Sequence, residues 1–318
     1  MRRRWIDYLM LAAFAALAAT AQQTTFRSEI HLVTLTFSVH DASGKFAAGL
    51  GANDFSVYED GAPQKIASFS GDSQLPLRIG LLVDVSDSQN QFLKRHVKDT
   101  EAFLREILRP QDQVFALCFG DHMRLASDLT SSPAGIVTGL QHFEKNAGSL
   151  PELAPDPSRE GGTALFDAVY AGVEEKLSGG SGYRRVLILF TDGEENSSAH
   201  DEVEAIAEAQ DADVLVFAVR YTAIHHGRIS ARNQQGAAIL LHLTGQTGGR
   251  DFDGLHTDLS QAFQEIAEEL RSQYSLSYYS TNKAADGSFR KVVIQAAPAG
   301  LVVRSRAGYY ARTSSPFP

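Results

Sequence analysis

Between Ser28 and Ser70 apolar residues fall at alternate positions. In "EIHLVTLTFSVHD" the set Ile30, Leu32, Leu35, Phe37 and Val39 keeps a period of two with one register break, which predicts a half-buried strand. "DASGK" reads as a turn, and "DFSVYEDGAPQKIASFS" as two short strands around "EDGAP". At about Leu75 the pattern changes. "LPLRIGLLVD" is an unbroken apolar run, as expected of a strand covered on both faces. A helical stripe follows at Leu93, Val97, Leu104 and Leu108, with Phe103 and Ile107 beside it, and Pro110 stops it.

The alternation continues. "DQVFALCFG" is a buried strand and "HMRLASD" a short one paired to it; "SPAGIVTGLQHF" is a helix with Pro133 in its first turn. "GGTALFDAVYAGVEEKL" is a helix, "RRVLILFTDG" a strand, "AHDEVEAIAEAQ" a helix and "ADVLVFAVRY" a strand. "QQGAAILLHLTGQTGG" is a helix ended by glycine, "RDFDG" a short strand, and "DLSQAFQEIAEELRSQ" a helix with Leu259, Phe263, Ile266, Ala267 and Leu270 on one face. From about Gln273 the segments "YSLSYYST", "SFRKVVIQAA", "GLVVRS" and "GYYAR" are β again. Strand propensity accounts for Tyr274, Tyr278, Tyr279, Tyr309 and Tyr310 there.

The fold class that follows is a doubly wound, mostly parallel α/β sheet inserted in a small β-sandwich built from the N- and C-terminal segments. Each flank alone offers few strands for a core, which favours a shared sandwich over two separate β modules. The expected divisions are a leader over residues 1–21, the first part of the sandwich over 28–72, the α/β domain over 75–272 and the second part of the sandwich over 273–312. The leader reading rests on Arg2, Arg3 and Arg4, a short apolar core from Tyr8 to Ala18, and the small residues Ala19-Thr20-Ala21. It implies a secreted or periplasmic protein. The alternative is an uncleaved membrane anchor, although the run falls short of the ~20 apolar residues a span needs.

A formal net charge of -9 argues against nucleic acid as a partner, because phosphate neutralisation needs clustered Lys and Arg. The single cysteine, Cys118 in "VFALCF", excludes an internal disulfide and a cysteine metal site. Export is therefore expected without disulfide stapling.

The first apolar strand ends in "DVSDS", which sets Asp84, Ser86 and Ser88 at alternate positions at its carboxyl end. Ligands of open α/β sheets bind outside those ends, at a topological switch point. One carboxylate and two hydroxyls are hard oxygen donors, suited to Mg²⁺, Ca²⁺ or Mn²⁺. "REGGTALFDA" adds Thr163 after two glycines, and "LILFTDGEEN" adds Asp192 after another buried strand. Each motif alone has a plain reading, a helix N-cap or a turn. All three at strand-to-helix junctions of one sheet point to a cation.

Asp-x-Ser-x-Ser, Gly-Gly-Thr and Thr-Asp-Gly, in this order, resemble the von Willebrand factor type A domain over roughly Pro76 to Ser272. "GLGANDFSVYEDGAPQKI" and "GYYAR" resemble the flanks of a bacterial subgroup of secreted proteins related to that domain. The resemblance implies a metal-ion-dependent adhesion site, with Asp84, Ser86, Ser88, Thr163 and Asp192 ligating the ion directly or through water. It implies a protein partner whose acidic side chain fills an open coordination position, and no catalysis.

The rim is expected to include Asp87, which adds a negative charge. The long connection "KNAGSLPELAPDPSREGG" should also border the site, as should "TAIHHGRISARNQQ", whose His225, His226, Arg228 and Arg232 form a basic spot. That spot reads either as a clamp for an acidic partner or as a solvated loop. Two further functions stay open. One is a metal-assisted hydrolase, against which stand the absence of G-x-S-x-G, of a P-loop, and of a histidine adjacent in sequence to the motif acids. The other is a docking subunit of an envelope assembly.

Overall fold

The computed structural model describes residues 32–71, 75–154, 161–179, 182–225, 228–297 and 299–312; the leader expected over 1–21 lies outside them. Strand β1 (Leu32–His40) buries Leu35, Phe37 and Val39. The next segment forms three strands where the alternation suggested two: β2 (Phe55–Glu59), β3 (Ala62–Gln64) and β4 (Ile66–Ser70). Asp60 and Gly61, both at positive φ, make the turn between β2 and β3. Pro63 is tolerated because β3 is an edge strand, paired to β2 alone. At Lys65 the chain leaves that sheet, and β4 joins the other one.

The α/β unit follows as β5 (Leu77–Asp84), α1 (Leu93–Ile107), β6 (Gln113–Phe119), β7 (Met123–Thr130), α2 (Pro133–Asn146), α3 (Leu165–Gly172), β8 (Arg184–Thr191), α4 (Glu202–Asp211), β9 (Val214–Arg220), the two-residue strands β10 (Ile224–His225) and β11 (Arg228–Ile229), α5 (Ala231–Thr247), β12 (Asp251–Asp253) and α6 (Leu259–Arg271). Its sheet runs β12-β9-β8-β5-β6-β7, with only β7 antiparallel. The alternate residues Ile79, Leu81 and Val83 pack with α1, α2 and α6; Leu82, Phe115 and Leu117 pack with α3, α4 and α5. Both faces are covered, which is why these strands read as continuous apolar runs.

Two helices differ from the periodicity. The helix after Thr163 is α-helical only to Gly172 and closes as a π turn, Val173–Leu177, that keeps Val173 and Leu177 fully buried. Helix α5 starts at Ala231, ahead of the apolar stripe, because the Ser230 side chain accepts the Asn233 N–H at 3.0 Å and caps it.

The C-terminal strands are β13 (Tyr274–Tyr279), β14 (Phe289–Ala296), β15 (Val302–Ser305) and β16 (Gly308–Tyr310). They interleave with the N-terminal ones in two antiparallel sheets, β15-β1-β13-β4 and β16-β14-β2-β3. One core joins the sheets: Leu35 and Phe37, Phe55 and Val57, Tyr274 and Tyr278, Val292 and Ile294. The sandwich is thus shared between the two ends of the chain. Polar groups tie it to the α/β unit. Buried Arg306 donates to the carbonyls of Gln210 and Thr34, and Thr36 donates to Asp213 at 2.7 Å. The Glu269 carboxylate on α6 accepts from Ser38 and pairs with Arg250 and Arg304.

Candidate metal centre

Strands β5 and β8 lie side by side, and the chain leaves β5 toward β6 on one flank while β8 pairs on the other. Their carboxyl ends form the switch point where the sequence placed its acids. Asp84 ends β5 fully buried, and Asp192 follows β8 at 1% exposure. Asp84 accepts the Ser86 N–H at 2.9 Å on one oxygen and the Thr191 hydroxyl at 2.5 Å on the other. Thr191 in turn accepts the Gly193 N–H at 3.0 Å, so one hydroxyl binds the two acidic loops together. Burial pushes the Asp84 carboxyl up to about 7, and the charge of Asp192 adds to the rise.

The capping reading of Asp-x-Ser-x-Ser does not hold. Ser86 precedes a 3₁₀ turn, Asp87–Phe92, but its side chain makes no capping bond. Its hydroxyl instead faces that of Ser88 at 3.2 Å. Thr163 is 2% exposed, and the α3 start that follows it also lacks a side-chain cap. The Thr163 N–H donates to Asn196 Oδ1 at 2.8 Å, and its carbonyl accepts from the Asn196 N–H at 3.1 Å. Gly162, at φ +103°, makes this possible, since a Cβ there would stand 2.3 Å from Asn196 Oδ1. Asp192 uses one oxygen for a turn, accepting the Glu194 N–H at 3.0 Å, and meets Asn233 of α5 at 3.4 Å through the other. A second close approach brings α5 there: a Cβ on Gly236 would lie 2.5 Å from the Asp192 carbonyl oxygen.

Two open cavities of about 550 and 410 Å³ meet over these groups. Ser86, Ser88 and Thr163 line the first, and Ser88 and Asp192 the second. Asp87, Glu194 and Arg232 line both. Exposed Arg232 stands 3.9 Å from Glu194, whose carboxyl burial and Asp192 push up while Arg232 draws it down. Arg228 is exposed on the β10–β11 hairpin and lines neither cavity. His226 and the His225 side chain lie outside the described residues. The long connection ends with Gly161 and Gly162 in the cavity wall. Further back it runs beside β7, with Leu125 N–H bonded to the Pro151 carbonyl and Leu153 N–H to that of Met123; residues 155–160 lie outside the described set.

The set fits a hard divalent cation. Two buried carboxylates stand together, Asp192 adding to the proton affinity that burial gives Asp84, and hydroxyls supply the remaining oxygens. Among the described residues no group of three or more His, Cys, Asp or Glu side chains gathers to hold a metal ion, so the hydroxyls must complete this ligand set. Several contributors escape motif reading. Thr191 and Asn196 sit inside the quoted "TDGEEN" but show their roles only once β8 and α3 are packed. His96, twelve residues after Asp84, is buried behind it against the Tyr221 ring at 4.5 Å, and burial drives its imidazole down to about 3. Asp121 reaches the cavity from the β6–β7 turn, with no sequence signal to mark it.

The von Willebrand factor type A domain profile matches residues 79–268, and the chain belongs to that family. No curated protein sequence matches it. Among solved structures it is similar to an aerotolerance-related membrane protein from Bacteroides fragilis at 16% identity and a TM-score of 0.45, over 61% of this chain and 98% of that one. It is similar to BatB from Bacteroides thetaiotaomicron at 19% identity and a TM-score of 0.44, over 62% of this chain and all of that one. A third, at 15% identity and a TM-score of 0.43, is proximal thread matrix protein 1 from the mussel byssus with zinc in its metal-ion-dependent adhesion site motif; 63% of this chain covers 49% of that protein.

Proposed function

We propose that this chain is an exported, divalent-cation-dependent protein-binding module. Asp84, Ser86, Ser88, Thr163 and Asp192 would hold the ion, with Mg²⁺ the foremost candidate and Ca²⁺ or Mn²⁺ able to replace it. One observation carries the reading: the Ser86 and Ser88 hydroxyls are spent on no cap and face each other beside the buried Asp84–Asp192 pair. A bound cation would supply a positive centre with an open coordination position. The protein's part is to strip water from two carboxylates and keep them close. Thr191 orients the lower one, Asn196 fixes the Thr163 loop, and both cavities stay open to an incoming carboxylate.

Isothermal titration of Mg²⁺, Mn²⁺ and Ca²⁺ into the protein should give heat that vanishes in Asp84→Ala and Asp192→Ala, both still folded by circular dichroism. A pull-down from an envelope fraction should recover a partner with Mg²⁺ and lose it with chelator. Silent titrations of all three ions, or capture indifferent to chelator, would overturn the reading. Turnover of phosphate or ester substrates lost in the same variants would favour a metal-assisted hydrolase. Export is tested separately, by the N-terminus of the mature chain.

A further inference from the structure

We infer, resting on the reading above, that the carboxylate this site receives is flanked by a lysine or arginine: the partner offers an acidic residue inside a basic segment. The argument comes from the rim. Beneath it, the charges of Asp84 and Asp192 would balance a divalent ion. Around it, the described residues lining the two cavities include, besides Asp192, three carboxylates, Asp87, Asp121 and Glu194, against one cation, Arg232. Glu194 has Arg232 beside it at 3.9 Å. Asp87 accepts only an amide from Asn90, and Asp121 only the His122 backbone N–H; no described cation pairs with either. A lone carboxylate moving toward the ion must therefore pass negative charge that no described cation offsets at Asp87 and Asp121.

The two lobes are unlike each other. The larger one, against Thr163, carries Asp121 together with the uncharged Gly161, Gly162 and Asn196. The smaller one, against Asp192, adds the neutral hydrogen-bonding groups Gln91, Ser230 and Asn233, while Asp87, Glu194 and Arg232 border both lobes. A segment whose acidic residue sits at the ion thus meets Asp87 and Glu194 whichever lobe it follows, and Asp121 as well in the larger one. A basic neighbour beside that acid, above all in the larger lobe, turns repulsion into attraction, and the chain's net charge of -9 acts in the same sense at longer range.

The test uses the full chain and three fluorescein-labelled, end-blocked peptides, Gly-Lys-Asp-Lys-Gly, Gly-Gln-Asp-Gln-Gly and Gly-Glu-Asp-Glu-Gly. Gly-Lys-Asn-Lys-Gly serves as the control without a carboxylate. Anisotropy is read at physiological salt with Mg²⁺ and with chelator. Lysine flanks should tighten binding about three- to fivefold over glutamine flanks, and glutamate flanks should weaken it comparably. The asparagine control should not bind. Asp121→Asn, and Asp87→Asn as a second variant, should shrink the preference for lysine. Equal affinity for the three aspartyl peptides, a preference unmoved in both variants, or no peptide binding while Mg²⁺ titration heat persists would each overturn the inference and leave the cation reading standing. Absence of that heat removes the cation reading, and this inference with it.

Discussion

Asp84 couples the site to pH. In the folded chain its carboxyl titrates near 7, against 3.8 for a free side chain, because burial disfavours the charge. Between those values the folded state holds a proton that the unfolded state has released. The cation-free protein therefore loses stability as pH rises from about 4 through about 7. A cation must displace that same proton, so its affinity climbs over the window and levels above it. Thermal melts with and without Mg²⁺ should show a clearly larger upward shift at pH 8 than at pH 5, and Asp84→Asn should melt higher than the native chain at pH 8 without the ion. Equal shifts at both pH values would separate the ion from Asp84. The acid itself was legible in the sequence, as the hard-oxygen end of an apolar strand. Its proton affinity was not, since that comes first from burial by distant segments, with Thr191 drawing it down and Asp192 adding to it from more than a hundred residues away.

Helix α6 shows how far periodicity reaches at the scale of elements. Its stripe of Leu259, Phe263, Ile266 and Leu270 is the buried face, as its spacing says. The Phe263 ring meets that of Phe103 on α1 edge-on at 5.1 Å, so the helix that follows the site-bearing turn and the helix that leads back to the sandwich share one contact. Phe263→Ala should cost about 3–5 kcal/mol in denaturant unfolding, with the midpoint lowered and the slope kept. A loss below about 1 kcal/mol would mean this contact is not part of the cooperative core. Where periodicity falls short, a local bond decides. The Ser230 cap starts α5 before its apolar stripe, and the edge position of β3 admits Pro63. That early start brings Asn233 to Asp192 and Arg232 to the rim.

At the scale of the whole molecule, the sandwich and the α/β unit should unfold together, because buried groups cross between them. Arg306 holds carbonyls of both, and Glu269 gathers hydroxyl and guanidinium partners from both. Removing Arg306 would take a buried donor from both carbonyls and leave Gln210 only its backbone contacts from Ala212 and Asp213. Arg306→Ala should lower stability by about 2–4 kcal/mol and split a single calorimetric transition into two; one undivided transition in the variant would place the coupling elsewhere. By itself the sequence determined the order of strands and helices, the insertion of an α/β sheet between β segments, and the five oxygen-bearing side chains at three of its turns. Those properties are written in local periodicity and in motif chemistry, which need no distant contact. Tertiary structure alone decided which strands of the two ends pair in which sheet, that Thr191 and Asn196 bind the loops of the site together, and that Asp121 joins Asp87 at its mouth. Each of these depends on chain segments brought together only by burial of the shared cores, and no spacing along the chain encodes that meeting.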